Sequence, residues 1–293
     1  MTHRSANSNN KGGVGKSLIT AQEAAALARR GKRVLCVDMD PQANLTRRLG
    51  VEFDPANPIL TMSEVIKANA DGVGEEAVVP CGWATAAGEA TTEAAMIDVL
   101  PSRFDLINRE LEAGMVGATR RLRRALDGWS DRYDVVLIDT PPNLGPLVQM
   151  AFAAVDTVII PTDAGYDSIE AAIRVSDFVQ RHGVDLGNPA LGVGGVVVNR
   201  KRATVEDDYQ VRGLIEQFGD LVWSLRGVAS LPNGAEVAIP QYIPEWKRFR
   251  EADGAAVSLS AWTDQEAKKT VALFDKVAAI YDQRFLRKVE VAA

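Results

Sequence analysis

The residues most able to do chemistry lie together near the start of the chain, where residues 10–17 read Asn-Lys-Gly-Gly-Val-Gly-Lys-Ser. Glycines let a backbone curl until successive N–H groups converge on one anion, and the positive end of a following helix strengthens such a site. Lys16 would add a point charge to the β- and γ-phosphates of a nucleoside triphosphate, and the Ser17 hydroxyl is suited to bind the accompanying Mg²⁺. The segment therefore predicts a loop that grips a nucleoside triphosphate.

Two further segments place carboxylates at the ends of apolar runs. Residues 32–40 read Lys-Arg-Val-Leu-Cys-Val-Asp-Met-Asp, and residues 133–139 read Tyr-Asp-Val-Val-Leu-Ile-Asp, followed by Thr-Pro-Pro. Short apolar runs of this kind are typical of buried parallel strands, and ligands of open α/β sheets bind at the carboxyl ends of such strands. The acids of both segments are therefore expected at the same edge of a sheet as the glycine loop.

Taken in order, these segments resemble the ParA and MinD family of ATPases, which carry a deviant Walker A loop. An ordinary P-loop begins with glycine, where this chain has Asn10, whereas Lys11 and the run Lys-Gly-Gly-Val-Gly-Lys-Ser are typical of that family. Residues 38–44, Asp-Met-Asp-Pro-Gln-Ala-Asn, match the ParA block Asp-x-Asp-Pro-Gln-x-Asn, and residues 133–142 resemble its Walker B segment. The chain looks closest to Soj-like ParA partition ATPases without an N-terminal DNA-binding extension.

The resemblance implies ATP and Mg²⁺ as cofactors and gives roles to the polar residues. Asp40 is expected to orient or activate the attacking water. Ser17 would bind Mg²⁺ directly, whereas Asp38 and Asp139 would contact it through water molecules. For Asp38 an alternative stays open, in which it caps a strand and pairs with a lysine. The residues expected to hold the nucleotide are Lys11, Gly12, Gly13, Val14, Gly15, Lys16, Ser17 and Leu18, with Asn199 and Pro232 at the adenine.

Lys11 is the residue of the loop that a single nucleotide site does not need. The resemblance implies that it reaches the nucleotide of a partner subunit, so that ATP is sandwiched in a homodimer and Lys11 joins Lys16 and Asp40 as a catalytic residue. ATP then offers phosphate contacts to both subunits and ADP offers fewer, which is the differential affinity that a switch requires. Dimerisation is therefore expected to follow the nucleotide state.

The expected partners also follow from the resemblance. In ParA proteins the ATP dimer binds DNA without sequence preference and is released when a cargo-bound, ParB-like adaptor stimulates hydrolysis. A MinD-like membrane-associated ATPase and a nucleotide-gated regulator with negligible turnover are the alternatives. Runs of charged residues usually form solvated surfaces, so the alternative for each basic cluster is an ordinary solvent-exposed face without a DNA contact. The candidate DNA contacts are Arg200, Lys201, Arg202, Lys247, Arg248 and Arg250, and residues 120–124 form a third basic run.

Composition limits the classes of function. The chain has 293 residues, 46% of them hydrophobic and 25% charged, and its formal charge of −6 argues against a protein that coats nucleic acid by bulk charge. The two cysteines, Cys36 and Cys81, offer neither a metal-ligand spacing nor a disulfide framework. The sequence shows no apolar run of transmembrane length and no signal peptide. A cytoplasmic, nucleoid-associated protein without stable membrane insertion is expected.

The elements that must position these residues alternate along the chain, as expected for a parallel sheet covered on both faces. The first strand should be unusually polar, because Ser5 and Asn7 stand where aliphatic residues would normally be buried. We predict an α/β fold with a predominantly parallel, twisted sheet, as one P-loop ATPase domain over residues 1–293 with a surface excursion at about 70–95. Helices are predicted over about 17–30, 105–127, 168–181 and 264–287, and strands over 32–40, 96–100, 133–139, 157–160 and 191–198.

Overall fold

The structure, a computed structural model, describes residues 2–85, 87–230, 236–246, 251 and 256–286. The strands of its main sheet are β1 (His3–Asn7), β2 (Val34–Asp38), β3 (Val79–Pro80), β4 (Ile97–Leu100), β5 (Val135–Asp139), β6 (Thr157–Asp163) and β7 (Gly192–Asn199). They lie in the order β3-β4-β2-β5-β1-β6-β7. Every pair is parallel except β3 with β4. A separate two-stranded sheet pairs β8 (Gly227–Ser230) with β9 (Glu236–Ile239) in antiparallel orientation.

Helices cover both faces of the sheet, which confirms the predicted α/β architecture. Residues of β2 and β5 alternate between the two cores: Leu35 and Val136 pack on one side, Cys36 and Leu137 on the other. The α-helices whose bounds lie in the described residues are α1 (Lys16–Arg29), α2 (Asn44–Arg48), α3 (Met62–Ala68), α4 (Arg121–Leu126), α5 (Pro146–Ala154), α6 (Tyr166–His182), α7 (Val205–Phe218) and α8 (Gln265–Tyr281). Residues of α3 to α7 contribute to the first core, and residues of α1, α2 and α8 to the second.

The helix predicted over residues 105–127 is wrong. The segment forms short 3₁₀ turns, including Phe104–Glu112 and Ala118–Arg120, and becomes α-helical only from Arg121. Gly117 interrupts it, because its φ of 76° lies in the left-handed region that ends a helix. Its apolar residues do not form one buried face: Leu106 and Leu122 are buried, whereas Leu111 is 86% exposed.

Residues 70–95 were predicted as a surface excursion, but part of this segment belongs to the main sheet and part of it is buried. They supply the antiparallel edge strand β3, and they bury Cys81 and Trp83 in the core beside α1. The indole N–H of Trp83 donates to the carbonyl of Arg48 at 2.6 Å, and the N–H of Gly82 donates to the carbonyl of Leu49 at 2.8 Å. The segment therefore anchors the end of α2.

The polar first strand is a feature of the fold, because its side chains meet polar partners. The Asn7 amide donates to the Thr20 hydroxyl at 3.0 Å and to the Glu23 carboxylate at 3.2 Å, both on α1. Ser5 lies 2.9 Å from the Tyr281 hydroxyl on α8. All five side chains are fully buried. These hydrogen bonds offset the cost of placing polar groups in the central strand.

The C-terminal helix is a core helix, as expected. Asp264 caps α8 by accepting from the N–H groups of Glu266 and Ala267 at 3.1 Å each. Leu273 and Phe274 are buried with residues of α1. Regular α-helix ends at Tyr281, and a π turn continues the helical backbone to Leu286, close to the predicted end near residue 287. An apolar face used for packing in this way is not free to enter a membrane.

We predict that Glu23→Gln stabilises the protein in a pH-dependent way. Burial raises the pKa of Glu23 from 4.5 to about 7, although the hydrogen bond from Asn7 lowers it. In the unfolded chain the carboxyl ionises near pH 4.5, so wild type loses stability as pH rises from about 4.5 to about 7. Glutamine removes that loss while still accepting from Asn7. The gain in the free energy of unfolding should reach about 3 kcal/mol at pH 8 and fall to about 1 kcal/mol at pH 5. Urea unfolding at both pH values measures it, and an equal gain at both would contradict the ionisation argument.

Candidate functional site

The carboxyl ends of the parallel strands bring the predicted site residues to one edge of the sheet. The glycine loop lies between β1 and α1, and its backbone passes through left-handed conformations at Gly13 (φ 81°) and Gly15 (φ 94°). Such values favour glycine strongly over any residue with a Cβ. The first turn of α1 begins directly after Gly15, so its free N–H groups face the loop as predicted.

Lys16 is the most buried cation of this loop. Its side chain lies in the first turn of α1 and the residue is only 7% exposed. Its ammonium donates to the backbone carbonyls of Asn9 and Lys11, at 3.3 Å in each case. Burial lowers the pKa of Lys16, while the charges of Asp139 and Asp40 raise it. The residue is therefore a poorly solvated cation with weak neutral partners, which is a setting suited to an anion.

Lys16 lines a cleft of about 220 Å³, together with several other residues that were predicted to form the site. Asp40 lies in its wall and is nearly buried, with its carboxylate accepting from the N–H of Gln42 at 2.9 Å. Val14, which was expected to face the nucleotide, is fully buried and does not line the cleft. The lining residues are Gly12, Gly13, Gly15, Lys16, Ser17, Leu18, Asp40, Gln42, Asn44, Arg48, Pro142 and Arg200.

Asp38 is occupied by the chain's own donors. It accepts from the Thr46 N–H at 2.8 Å, from the Thr46 hydroxyl at 2.7 Å and from the Asp40 N–H at 3.1 Å. Burial raises the pKa of Asp38 to about 6, and the hydrogen bonds from Thr46 act in the opposite direction. The geometry favours the strand-capping alternative in a changed form: Asp38 holds the loop before α2, through Thr46 rather than through a lysine.

Asp139 differs from Asp38 in the hydrogen bonding of its carboxylate. It lies beside Asp38 in the register of β2 and β5, and it is fully buried. In the part of the chain that the structure describes, neither carboxylate oxygen of Asp139 accepts a hydrogen bond of ordinary geometry. Burial and then repulsion from Asp38 raise the pKa of Asp139 to about 8, although the nearby Ser17 hydroxyl lowers it. A buried carboxylate with free oxygens beside Ser17 suits the predicted role near Mg²⁺.

Lys11 lies at the outer side of the loop. Its side chain is 36% exposed, and its ammonium is 4.0 Å from the exposed carboxylate of Asp167. Asn9 holds the adjacent backbone, since it accepts from the Lys11 N–H at 3.0 Å and donates to the Pro161 carbonyl at 2.8 Å. The loop therefore presents the Lys11 side chain outward, where a second subunit could use it.

Asn199 and Arg200 contact the glycine loop itself. The Asn199 amide donates to the Val14 carbonyl at 2.9 Å, and the Arg200 guanidinium donates to the Gly13 carbonyl at 2.5 Å. Arg200 also lines the cleft, although its sequence context pointed to DNA. Sequence reasoning missed this position. The one signal in the sequence was that an arginine directly follows a residue expected at the carboxyl edge of the sheet.

The basic clusters are largely neutralised where the structure describes them. Lys201 is 2.6 Å from the carboxylate of Asp208, and Arg202 is 3.3 Å from that of Asp207. In the third run, Arg121 is buried against Glu112, and Arg124 pairs with Asp71 at 2.6 Å. Four predicted residues lie outside the described ranges: Pro232, Lys247, Arg248 and Arg250.

Comparison with known proteins agrees with this geometry. The AAA domain family AAA_31 matches residues 4–187. The chromosome partitioning protein ParA of Caulobacter vibrioides is 31% identical over 234 residues, which span 78% of this chain and 80% of that protein. The chain belongs to the ParA family of ATPases. The chromosome-partitioning ATPase Soj of Thermus thermophilus is 35% identical over 195 residues, spanning 67% of this chain and 68% of Soj.

The ParA-family fold extends along the chain. An ATP complex of a McdA variant from Cyanothece superimposes on it with a TM-score of 0.74 over 99% of each chain, at 21% sequence identity. Within the described ranges, no helix is long and apolar enough to cross a bilayer. The same residues contain no group of three or more His, Cys, Asp or Glu side chains that could hold a metal ion.

We predict opposite effects on stability for the two adjacent carboxylates of the ParA-family site. Asp38→Ala should lower the free energy of unfolding by about 3 kcal/mol, because three buried donors lose their acceptor. Asp139→Asn should raise it at pH 7, because the wild-type carboxyl ionises in the unfolded chain but resists ionisation when folded. Urea unfolding of the nucleotide-free variants measures both changes. Loss of stability in Asp139→Asn would show that the Asp139 charge supports the fold.

Proposed function

We propose that this chain is an ATP-driven partition or positioning ATPase. The observation that carries the proposal is the buried Lys16 ammonium, which faces a glycine-lined cleft with only two backbone carbonyls as hydrogen-bond partners among the described residues. A triphosphate would supply the negative charge that these carbonyls lack. Backbone N–H groups of the loop and the first turn of α1 would complete the anion site.

Mg²⁺ would bind together with the nucleotide. Ser17 lies in the cleft, and Asp139 offers two buried oxygens that accept no ordinary hydrogen bond from the described residues. Magnesium usually takes one or two protein ligands, several waters and phosphate oxygens, which fits a site without a dense carboxylate cluster. When bound, it neutralises phosphate charge that develops during transfer. Asp38 is a weaker candidate, since Thr46 and Asp40 already occupy its oxygens.

Asp40 is the residue that we assign to the attacking water. It lies in the wall of the cleft with Lys16 and Ser17, and it is held by the N–H of Gln42. Phosphoryl transfer to water requires charge neutralisation and a positioned nucleophile, with little covalent work by the protein. Lys16 would provide charge at the phosphates, while Asp40 orients the water and accepts its proton. Lys11 would reach the nucleotide of the second subunit from its outward position.

Lys16→Ala tests the nucleotide site directly. Removing the ammonium should abolish ATP binding, whereas wild type should gain about 3 kcal/mol of stability at Mg-ATP concentrations a hundredfold above the dissociation constant. The variant should still fold, because a buried cation is lost along with the cost of burying it. Lys67→Ala, which removes an exposed lysine of α3, is the matched control and should keep the full stabilisation. A ligand-induced melting shift that persists in Lys16→Ala would rule out this site.

We further propose that the ATP dimer binds DNA without sequence preference and releases it when a ParB-like, cargo-bound adaptor stimulates hydrolysis. Such a protein would be cytoplasmic and nucleoid-associated. Because Arg200 contacts the loop, and Lys201 and Arg202 pair with acids, the proposal rests mainly on Lys247, Arg248 and Arg250. A two-fold dimer would carry this cluster twice, which gives several positive charges for phosphate contacts despite the chain's net negative charge.

The dependence of DNA affinity on salt tests this second proposal. For the ATP form, log affinity should fall with log salt at about −0.9 per phosphate contacted. Replacing Lys247, Arg248 and Arg250 with alanine should make this negative slope shallower. Its absolute value should fall by about one for each DNA phosphate that the variant no longer neutralises, and by more if both subunits take part. The Lys201→Ala and Arg202→Ala pair is the comparison and should change the slope less.

Lys11→Ala should bind ATP as a monomer and lose DNA binding, while Asp40→Ala should stay dimeric and bound to DNA. DNA retention that is insensitive to salt and nucleotide would contradict the proposal.

A further inference from the structure

Two consecutive residues at the end of β7 hold two consecutive carbonyls of the glycine loop. Asn199 donates to the carbonyl of Val14, and Arg200 donates to the carbonyl of Gly13. The Asn199 side chain is fully buried, and the contact spans 185 residues of sequence. Neither bond belongs to the sheet or to a helix. We name this pair of contacts the carbonyl clamp. It joins β7, the strand at the edge of the sheet, to the glycine loop.

The geometry of the peptide bond gives the carbonyl clamp a consequence. In a trans peptide the C=O of one residue and the N–H of the next point in opposite directions, and the described chain contains no cis peptide. Fixing the carbonyls of Gly13 and Val14 toward β7 therefore turns the N–H groups of Val14 and Gly15 away from it. Backbone N–H groups of a P-loop cradle the α- and β-phosphates of the nucleotide.

These contacts occur beside a strained backbone conformation and an unusually close approach between two residues. Arg200 has a φ of 52°, a left-handed conformation that is uncommon for arginine. The turn is anchored just beyond it, where the Lys201 N–H donates to the Ile243 carbonyl at 3.0 Å. Gly15 lies so close to Asn199 that an added Cβ would be 2.3 Å from the amide nitrogen. Close approach and strained backbone at one point are typical of positions under a functional constraint.

We propose that Asn199 and Arg200 are positioning residues, which preset the glycine loop for the inner phosphates of the nucleotide. The inference rests on the proposed ATP site and adds that Arg200 serves this site rather than DNA. The clamp acts on loop N–H groups that face the α- and β-phosphates. It should therefore support ATP and ADP equally, which separates it from a side chain that contacts the γ-phosphate.

Arg200→Ala is the first test. Loss of a charged hydrogen bond to the loop should weaken both ATP and ADP about tenfold, measured by calorimetric titration of the Mg²⁺-containing protein. Turnover at saturating ATP should be little changed, so KM rises while kcat is retained. Arg200→Lys should recover part of the affinity, because an ammonium can still donate to the Gly13 carbonyl. Melting of the nucleotide-free variants should match wild type, since Arg200 is exposed.

Arg212→Ala is the matched control, because it removes the same charge from the exposed surface of α7 and should leave both nucleotide affinities unchanged. A loss confined to ATP would assign Arg200 to the γ-phosphate and overturn the clamp. Unchanged nucleotide affinity with a smaller DNA salt slope would return Arg200 to the DNA surface and overturn it as well. Failure of the proposed function has a different signature, in which wild type itself binds neither nucleotide.

Discussion

A positive charge is buried at the carboxyl edge of the sheet, and the remaining site is arranged around it. Burial lowers the pKa of Lys16, and the charges of Asp139 and Asp40 act against that shift. The carboxyl of Asp139 is itself held back from ionisation by burial and by Asp38. Charges in such a place cost free energy unless geometry and partners compensate them. Packed strands and helices must therefore hold these groups in place and prevent them from turning toward water.

The glycine loop depends on other parts of the sheet for its shape. Asn9 ties the start of the loop to the carbonyl of Pro161 on β6, and Asn199 and Arg200 hold its centre from the end of β7. Behind the loop, Asn7 binds α1 to β1 through Thr20 and Glu23. Glycine alone would leave this segment free to adopt many conformations, at a cost in entropy on binding. Hydrogen bonds from distant elements restrict that freedom beforehand.

The features that sequence could predict are the local ones. The glycine pattern, the strands ending in acids and the helix after Gly15 are each encoded within a few residues, and the structure confirms them. The helix over 105–127 was wrong because Gly117 breaks the backbone with a left-handed conformation, and the residues before it form 3₁₀ turns instead of an α-helix. Likewise, low periodicity at 70–95 concealed an edge strand and the buried Trp83. Short strands carry too little periodic signal to be separated from loops.

The polar residues were harder to assign, since their partners are far away in sequence. That Asp38 would bind Thr46, or Arg200 the carbonyl of Gly13, depends on how loops meet at the sheet edge. The charge of Arg200 was evident, but the direction of its side chain follows from a left-handed backbone that its neighbours do not encode. Residue type therefore predicted the kind of interaction in these cases, and tertiary structure decided its partner.

The close approach of Gly15 to Asn199 constrains how the sequence can diverge. Any side chain at position 15 would meet the Asn199 amide nitrogen at 2.3 Å, and the backbone there is left-handed with a φ of 94°. A larger residue at position 199 would in turn press on the loop. A residue other than glycine at position 15 would need both a smaller residue at 199 and a changed backbone, and shortening Asn199 would remove its bond to Val14. We therefore expect both residues, 184 positions apart in the sequence, to be retained together as the sequence diverges.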